Sequence, residues 1–456
     1  MAEELIISIS GMRGIVGQNL TAAIAAEYGC AFGTFLKEKF SESGEKLTVC
    51  IGRDSRPSGQ LLTFAVTAGL CSVGVDVVDI GIISTPAVGV MLRHLDCAGG
   101  VVITASHNPI QYNGIKLLLD DGIAPPLDVT EQIKRIYLDK DFAQVPSVDC
   151  GRVGSDDGAR QIHVDKVLSL INPEAISAKR YKVVLDSVNG AGGPEANILL
   201  GFLGCNVNAV NFEPTGIFAH APEPTAENLR DVCIQVKKSG ADIGFALDPD
   251  ADRLAIVDKN GRYIGEEYTL ALAAKYVLGK IRTNVAANLS TSRMIDDVAD
   301  ACGARVFRTA VGEANVARAM IENNCVIGGE GNGGVIDMRV GPVRDSLVGM
   351  AHILSLMAET SKSISELVAE LPSYHIIKTK FTADKKKFQQ ITEKVAESFP
   401  DAQINKTDGC RFDFEDGWIH IRASNTEPVV RVIVEAKDKH IAEKYLNIVY
   451  QVREAI

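Results

Sequence analysis

The sequence predicts an α/β fold in which helices cover both faces of the sheets. Short β-branched runs alternate with stretches of helical period, as in the strand predicted at Leu5–Ile9 and the helix predicted at Thr21–Phe40, where Thr21 is a suitable N-cap. The length of 456 residues exceeds what one hydrophobic core accommodates and predicts three or four domains. A weak internal repeat supports this division. In three places a threonine precedes a predicted helix, and a polar loop follows about twenty residues after the threonine. These threonines are Thr85, Thr225 and Thr309.

Composition and charge narrow the class of protein. With 46% hydrophobic residues and no apolar run of about eighteen residues, the chain is typical of a globular protein without a membrane span. The acidic start at residues 1–4 lacks the basic residues of a signal peptide, and ten scattered cysteines without a C-x-x-C pair are typical of a reduced cytosol. The net charge of −11 argues against a nucleic-acid surface. We therefore expect a cytoplasmic protein without membrane or nucleic-acid partners.

Two early loops contain arginines that could face an anion. In the first, two glycines flank Arg13, which would let the arginine and its backbone approach an anion, although a plain glycine turn is equally compatible. The second, at residues 52–59, offers Arg53 and Arg56 either to an anion or to Asp54. The residue types favour an internal salt bridge with Asp54 in this second loop.

The stretch Gly99–Lys116 carries the strongest chemical signal. A buried strand is predicted at Val101–Ile103, and Pro109 prevents the sheet ladder from continuing. The Ser106 hydroxyl is therefore expected at the carboxyl end of a strand, where α/β sheets bind their ligands.

A second turn, predicted at Tyr112–Gly114, is expected to return Lys116 to the same place. The hydroxyl of Ser106 could then carry a phosphoryl group, with His107 and Lys116 as proton carriers and charge partners. The carboxamide of Asn108 belongs to the same set. A polar turn without chemistry is the open alternative, because these residue types also favour turns.

Three aspartates stand at alternate positions after a strand predicted at Ile243–Leu247, namely Asp248, Asp250 and Asp252. Crowded carboxylates repel one another unless a cation neutralises them. The sixth and twelfth positions are Arg253 and Lys259, where a calcium EF-hand needs Gly and Glu. A tight oxygen cage with room for a phosphate oxygen suits Mg²⁺, whereas the alternative is an acidic surface turn. Arg253 could pair with one carboxylate or reach a phosphate.

A glycine-rich loop follows a helix near the end of the third predicted unit. Glycines around Glu330 and Asn332 would let the backbone lie against a polyhydroxylated ligand. The two side chains would supply acceptor and donor groups for its hydroxyls.

A predicted hairpin near the C-terminus contains one more candidate loop. Its strands are expected at Trp418–Ile421 and Val429–Glu435, and the turn between them opens with Arg422. An arginine fork and loop N–H groups would make a phosphate clamp, whereas a decorated hairpin without a ligand is the alternative. We expect domains at 1–150, 151–258, 259–370 and 371–456, with the first boundary in a linker-like stretch rich in Asp, Gly and Ser.

These four loops together resemble the α-D-phosphohexomutase family of phosphoglucomutases, phosphomannomutases and phosphoglucosamine mutases. The resemblance covers nearly the full chain. Thr104–Pro109 is similar to the phosphoserine loop, Asp248–Arg253 to the Mg²⁺ loop, Gly329–Gly333 to the sugar loop and Arg422–Pro428 to the phosphate loop. It implies four domains around a central cleft, of which three share a mixed α/β topology and the fourth is a smaller C-terminal α+β domain.

The resemblance also implies a reaction. Phosphorylated Ser106 would pass its phosphoryl group to a hexose monophosphate, and the hexose 1,6-bisphosphate intermediate would return its other phosphoryl group to the serine. The implied Mg²⁺ ligands are Ser106, Asp248, Asp250 and Asp252. The implied catalytic residues are Ser106, Lys116, His107 and Arg13. We expect the sugar phosphate to be bound by Asn108, Arg253, Arg293, Gly312, Glu330 and Asn332. We expect its non-reacting phosphate to be bound by Arg422, Ser424, Asn425 and Thr426.

One departure from the family pattern bears on the sugar. Family sugar loops usually read Glu-x-Ser-Gly-His, whereas this chain has Asn332 at the Ser position and Gly334 at the His position. The amino-sugar mutases carry a similar Glu-x-Asn-Gly, and Gly331 would remove side-chain bulk beside the sugar. We therefore predict conversion of glucosamine 6-phosphate to glucosamine 1-phosphate by a monomer or homodimer.

Other functions stay open at this point. A phosphomannomutase or phosphoglucomutase is the first alternative, because residues 422–426 resemble those of the dual glucose and mannose enzymes. A catalytically silent sugar-phosphate sensor and a phosphatase using Ser106 and Mg²⁺ are the alternatives from other classes.

Overall fold

The computed structural model describes residues 5–42, 44, 46–423 and 429–456. Within these residues, four sheets follow one another along the chain. Three of the sheets are mixed and the last is antiparallel throughout. None of the helices in the described part of the chain has the length and apolar character needed to cross a membrane.

The first unit contains a seven-stranded sheet and four helices. Its strands are β1 (Ile6–Ser8), β2 (Gly11–Ile15), β3 (Thr48–Arg53), β4 (Asp76–Ile82), β5 (Gly99–Ile103), β6 (Tyr112–Leu119) and β7 (Val153–Ser155). Its helices are α1 (Ala22–Lys39), α2 (Gly59–Ser72), α3 (Thr85–His94) and α4 (Leu127–Asp139), and a 3₁₀ turn lies at Ser147–Asp149. The strand order is β1-β2-β6-β5-β3-β4-β7. The predicted cap of α1 is confirmed, because the Thr21 hydroxyl accepts a hydrogen bond from the Ile24 N–H.

Two segments that the sequence predicted as turns are strands. Arg13 lies in β2, where it pairs with Gly114 of β6, so the glycine-flanked arginine is not in a loop. The predicted turn at 112–114 is the start of β6, which runs antiparallel to β5 and sets Lys116 opposite Val102. Pairing with neighbouring strands outweighs the local turn preference of these glycines.

The second and third units each contain a four-stranded sheet. The second unit consists of α5 (Ala159–Leu168), α6 (Pro173–Ser177), β8 (Lys182–Asp186), α7 (Gly193–Phe202), β9 (Asn206–Val210), α8 (Arg230–Ser239), β10 (Ile243–Leu247) and β11 (Leu254–Asp258). The third consists of α9 (Glu266–Leu278), β12 (Val285–Asn288), α10 (Met294–Ala301), β13 (Val306–Thr309), α11 (Glu313–Glu322), β14 (Ile327–Glu330), β15 (Gly334–Asp337), α12 (Ser346–Thr360) and α13 (Ile364–Ala369). A continuous apolar core joins the two units, and the first thirteen residues of α12, Ser346 to Ala358, are all buried in it.

The first three sheets repeat one four-stranded layout. The orders β4-β3-β5-β6, β9-β8-β10-β11 and β13-β12-β14-β15 each place three parallel strands beside one antiparallel strand. This confirms the predicted internal repeat. Ser106, the three aspartates and Glu330 all lie at or just after the end of the third strand in the layout. Loops with different side chains therefore lie at equivalent positions of the three sheets.

The fourth unit is smaller and has a different topology. It consists of β16 (His375–Thr382), α14 (Lys385–Ser398), β17 (Gln403–Asn405), β18 (Cys410–Asp413), β19 (Gly417–Ala423), β20 (Val429–Ala436) and α15 (Lys439–Glu454). The sheet order is β16-β20-β19-β18-β17, and both helices pack on its apolar face. The predicted hairpin of β19 and β20 is confirmed by their antiparallel pairing. The four-domain α/β architecture expected from the resemblance is thus present.

Candidate active site

Ser106 is held at the turn after β5 in a conformation that few serines adopt. Its φ of +49° lies in the left-handed region, and its N–H donates to the Thr104 hydroxyl at 2.9 Å. The Ser106 Oγ lies 3.1 Å from Asp248 Oδ2 and 3.2 Å from His107 Nδ1. Left-handed backbone at a non-glycine residue is concentrated at functional sites, and here it turns the hydroxyl toward the carboxylates.

The buried side chain of Arg56 holds the Ser106 loop from behind. Its Nε donates to Asp54 Oδ2 at 3.0 Å, which confirms the predicted salt bridge. Its two terminal nitrogens donate at 2.6–3.1 Å to four backbone carbonyl groups, those of Ser106, Asn108, Pro109 and Tyr112. The sequence suggested the ion pair but gave no sign that the guanidinium also binds the loop.

The three aspartates form a compact buried cluster. Oxygen atoms of Asp248, Asp250 and Asp252 lie within 4.8 Å of one another. The Asp250 Oδ2 accepts from the Thr85 hydroxyl at 2.7 Å. The Oδ1 atoms of Asp250 and Asp252 are buried without a hydrogen-bond partner among the described residues. Crowded oxygens with unused lone pairs are the donor set that a divalent cation binds.

The pKa values of the aspartates show that the cluster is short of positive charge. Burial, followed by the charges of Asp252 and Asp250, raises the pKa of Asp248 well above its ordinary value. Burial and Asp252 raise the pKa of Asp250 to about 6. Burial also acts to raise the pKa of Asp252. The charges of Arg344 and Arg253 outweigh this effect and lower that pKa to about 2. The neighbouring arginines therefore compensate Asp252 more than they compensate the other two aspartates.

Arg344 joins the aspartates to the sugar loop. Its guanidinium donates to Asp252 Oδ2, to Glu330 Oε2 at 2.6 Å and to Glu313 Oε2 at 3.3 Å. These carboxylates keep the pKa of Arg344 well above its ordinary value even though burial opposes them. Arg344 was not among the predicted site residues, because it lies ten positions after Gly334 in a segment without a recognisable motif.

The carboxylate of Glu330 is fully engaged within the protein. One oxygen accepts from Asn288 Nδ2 at 2.6 Å and from the Gly312 N–H at 3.0 Å. The other accepts from Arg344 at 2.6 Å and from Asn332 Nδ2 at 3.4 Å. A sugar hydroxyl would therefore have to displace the long bond from Asn332. The expected ligands Gly312 and Asn332 are here partners of Glu330.

The reason for a glycine at position 331 differs from the one expected. A Cβ atom on Gly331 would lie 1.9 Å from Oε2 of Glu267, so the missing side chain makes room for a buried carboxylate of α9. That carboxylate accepts a hydrogen bond from the Ser292 N–H at 3.0 Å, and burial raises its pKa to about 7. This corrects the interpretation that Gly331 opens space beside the sugar.

Three predicted catalytic side chains lie near the cluster. Lys116 Nζ forms an ion pair with Glu313 Oε1 at 2.7 Å, and its charge acts on Asp250. Burial lowers the pKa of Arg13, although the charges of Asp250 and Asp252 act on it in the opposite direction. Burial and the charge of Arg253 hold the pKa of His107 well below its ordinary value, so this imidazole is neutral near pH 7.

The remaining predicted arginines have different surroundings. Arg253 lies between Glu223 at 3.5 Å and Asp252 at 3.9 Å, beside the cluster. Arg293 donates to the carbonyl groups of Phe414 and Glu415, both at 2.9 Å, and so ties the third unit to the fourth.

The expected phosphate clamp is only partly described. Arg422 lies at the end of β19 with its Nε 3.3 Å from Asp408 Oδ2. Ser424, Asn425 and Thr426, the other expected members, lie outside the described residues.

Comparison with known proteins follows the same division into four units. Family models for phosphoglucomutase/phosphomannomutase match residues 5–144 with α/β/α domain I, 161–261 with domain II, 266–374 with domain III and 377–452 with the C-terminal domain. The chain belongs to the phosphoglucomutase/phosphomannomutase family. It is therefore an isomerase of the phosphohexomutase type.

Relatives cover almost the whole chain. A phosphoglucomutase/phosphomannomutase of Thermococcus kodakarensis is 42% identical over 450 residues, which are 96% of each chain. A probable phosphoglucosamine mutase of Methanopyrus kandleri is 35% identical over 457 residues, which are 98% of each chain. A solved family member from Burkholderia thailandensis has a TM-score of 0.88 at 28% identity and covers 100% of this chain and 98% of its own. The relatives share the family but carry different substrate names.

Proposed function

We propose that this phosphohexomutase moves a phosphoryl group between O6 and O1 of a hexose phosphate through phosphorylated Ser106. The observation that carries the proposal is the position of the Ser106 hydroxyl, 3.1 Å from Asp248 within the buried aspartate cluster. A hydroxyl that receives and returns a phosphoryl group needs positive charge beside it, and these three carboxylates could hold a cation at that place.

The steps balance as a transfer and a return. A sugar hydroxyl loses its proton to a base while its oxygen attacks the phosphorus. The bond from Ser106 Oγ to phosphorus breaks, the serine oxygen takes up a proton, and a hexose 1,6-bisphosphate forms. After the bisphosphate turns over in the cleft, the Ser106 hydroxyl loses its proton and its Oγ attacks the other phosphorus. The bond from that phosphorus to the sugar oxygen breaks, the sugar oxygen takes up a proton, and the isomerised monophosphate is released. No water is consumed, so the net reaction is an isomerisation.

The side chains around Ser106 support distinct roles. Lys116, 2.7 Å from Glu313, is the proposed proton carrier for the sugar hydroxyl. His107 is neutral and 3.2 Å from Ser106 Oγ, which suits it to orient the hydroxyl and accept its proton. Arg13 and Arg253 supply positive charge for the phosphoryl oxygens.

The aspartate cluster fits Mg²⁺. The ion would be held by Asp248, Asp250 and Asp252 together with an oxygen of Ser106 or its phosphoryl group. The unpartnered Oδ1 atoms of two aspartates support this assignment. When bound, the ion neutralises charge on the phosphoryl group being transferred.

Glucosamine 6-phosphate is the first candidate substrate, supported by Asn332 in the sugar loop and by the 35% identical relative named a probable phosphoglucosamine mutase. A glucose or mannose phosphate is the second candidate. It is favoured by the 42% identical relative and by the engagement of the Asn332 side chain with its own loop, at 3.4 Å from Glu330 and 3.3 Å from the Gly334 N–H.

One assay separates the proposed reaction from its alternatives. Purified enzyme is given glucosamine, glucose and mannose 6-phosphates in turn, and binding, free phosphate and isomerised sugar are measured side by side. Isomerisation without phosphate release supports the mutase. Phosphate release in proportion to substrate loss would indicate a phosphatase, and binding without either product would indicate a sensor.

A further inference from the structure

The side chain of Arg344 occupies the space beside the Cα atom of Gly334. A Cβ atom built on Gly334 would lie 2.1 Å from Cδ and 2.9 Å from Cγ of Arg344. Atoms of two side chains do not approach so closely, so any residue larger than glycine at 334 excludes Arg344 from its present position. The glycine at the His position of the family pattern is thus matched by an arginine from elsewhere in the chain.

Arg344 binds carboxylates from three separate segments. Asp252 belongs to the loop after β10, Glu330 ends β14, and Glu313 begins α11. A planar guanidinium can satisfy all three at once because its donors point in fixed and different directions. A lysine ammonium would keep the charge but not this geometry.

The connection continues to the proposed proton carrier. Glu313 uses one oxygen for Arg344 and the other for Lys116, at 2.7 Å. The metal loop, the sugar loop and Lys116 are therefore linked through one buried cation and its carboxylates.

We propose that Arg344, seated over Gly334, is the positioning residue that directs the Glu330 carboxylate toward the sugar and fixes the sugar loop relative to the metal loop. The proposal deepens the proposed function and rests on it. Arg344 does this with donors to Glu330 and Asp252, and its charge also offsets that of the aspartate cluster.

Removal of Arg344 has opposite consequences for two ligands. Without the positive charge of Arg344, the negative charge of Asp252 is less compensated, so Mg²⁺ should bind the cluster more tightly. Without the Arg344 donor, the Oε2 atom of Glu330 keeps only the 3.4 Å bond from Asn332 and is held less firmly, so the sugar phosphate should bind more weakly. A merely structural role would weaken both ligands together.

The test uses the full-length enzyme with Arg344→Ala and Arg344→Lys. Calorimetric titration with Mg²⁺ alone should show a severalfold gain in affinity in Arg344→Ala and little change in Arg344→Lys. The KM for the hexose phosphate that wild type turns over best should rise about tenfold or more in both variants. Arg339 is paired with Asp337 and serves as the matched control. The variant Arg339→Lys should have the Mg²⁺ affinity and the KM of wild type.

A second arm tests the exclusion between positions 334 and 344. Gly334→His should lower kcat/KM about 100-fold when Arg344 is present. The double variant Gly334→His, Arg344→Ala should have a kcat/KM about tenfold higher than that of Arg344→Ala alone, because the imidazole can take the vacated space and donate to Glu330. A double variant no better than Arg344→Ala would overturn the proposal.

The outcomes remain interpretable if a variant is unstable. Should Gly334→His fail to fold, Arg344→Lys decides, and an unchanged KM in that variant overturns the proposal. Parallel loss of Mg²⁺ and sugar-phosphate affinity in Arg344→Ala overturns it as well. Failure of the proposed function would look different, since wild type would then isomerise none of the three hexose phosphates.

Discussion

At the scale of the residue, the loop that carries Ser106 is held through its backbone carbonyl groups. Arg56 donates to four carbonyl groups of the surrounding loop, and Asp54 fixes Arg56 in turn. Buried, fully used arginine donors define a single loop geometry, and phosphoryl transfer depends on such alignment.

Arg56→Lys should reduce kcat about 100-fold while changing KM little, because an ammonium cannot donate to four carbonyl groups and a small misplacement of Ser106 is costly. Steady-state kinetics on the preferred hexose phosphate measure this effect. Arg53→Lys at the end of β3 is the control and should stay near wild type. A kcat for Arg56→Lys within twofold of wild type would contradict the positioning role.

Asn332→Ser tests the sugar preference. If the longer amide serves the substituent at C2 of the sugar, the variant should shift the ratio of glucosamine to glucose turnover toward glucose, with the melting temperature unchanged. The measurement is a side-by-side comparison of kcat/KM for the two sugar phosphates. A proportional loss on both sugars would mean that Asn332 serves only to hold Glu330 and the loop, and the amino-sugar assignment would lose its main support.

Glu330→Ala should lower kcat/KM by roughly one to two orders of magnitude, since each lost hydrogen bond costs about 1–3 kcal/mol when its partner stays buried. The structure adds that Arg344 and Asn288 would lose a partner. Glu330→Gln keeps the shape and part of the bonding and should lose less. Equal activity in wild type and Glu330→Ala would show that Glu330 does not contribute to the site.

At the scale of the element, three loops at equivalent positions of one repeated layout carry different side chains: a serine, three aspartates, and a glutamate among glycines. The sequence predicted these loops because a strand end followed by hydroxyl, carboxylate or glycine-rich residues is a local pattern. The same local reasoning placed Arg13 and residues 112–114 in turns, whereas both lie in paired strands.

Local sequence patterns could not predict the contacts between segments that are distant in the chain. Arg344 meets Asp252 and Glu330 only in the folded chain, and Glu267 of α9 fills the space beside Gly331. Nothing in the sequence near these residues reports on their partners, so their roles could not be predicted from it.

The metal loop predicts a sharp dependence on divalent cation. Chelation should abolish turnover, and Asp250→Asn should raise the Mg²⁺ concentration for half-maximal activity about tenfold or more, because one anionic ligand is lost. Activity is measured against free Mg²⁺, with the exposed Asp401→Asn as the control. Turnover that is indifferent to a chelator would count against the aspartate cluster as a cation site.

At the scale of the whole molecule, a buried polar network ties three units together. His163 of α5 contacts Glu195 of α7 at 3.0 Å and Asp345, the N-cap of α12, at 2.7 Å. Glu195 also accepts from the Ser84 hydroxyl at the start of α3. Although burial opposes protonation, Asp345 and Glu195 raise the pKa of His163 to about 10.

This network predicts a loss of stability at alkaline pH. The folded pKa of His163 lies above the unfolded value of about 6.5, so its stabilisation is complete below about pH 6.5 and is lost as the pH rises toward 10. The melting temperature of wild type should exceed that of His163→Gln most at pH 6, and the difference should shrink by pH 10. The exposed His94→Gln is the control. A difference that is constant with pH would show that His163 is not charged in the fold.

The most direct test is the fate of a phosphoryl group on Ser106. Enzyme incubated with hexose 1,6-bisphosphate is analysed by intact-protein and peptide mass spectrometry, then mixed with hexose 6-phosphate and analysed again. We expect one added phosphoryl group on Ser106, its transfer to the sugar, and neither phosphorylation nor mutase activity in Ser106→Ala. Full mutase activity in Ser106→Ala, or a stable phosphoryl group that never reaches the sugar, would contradict the proposed mechanism.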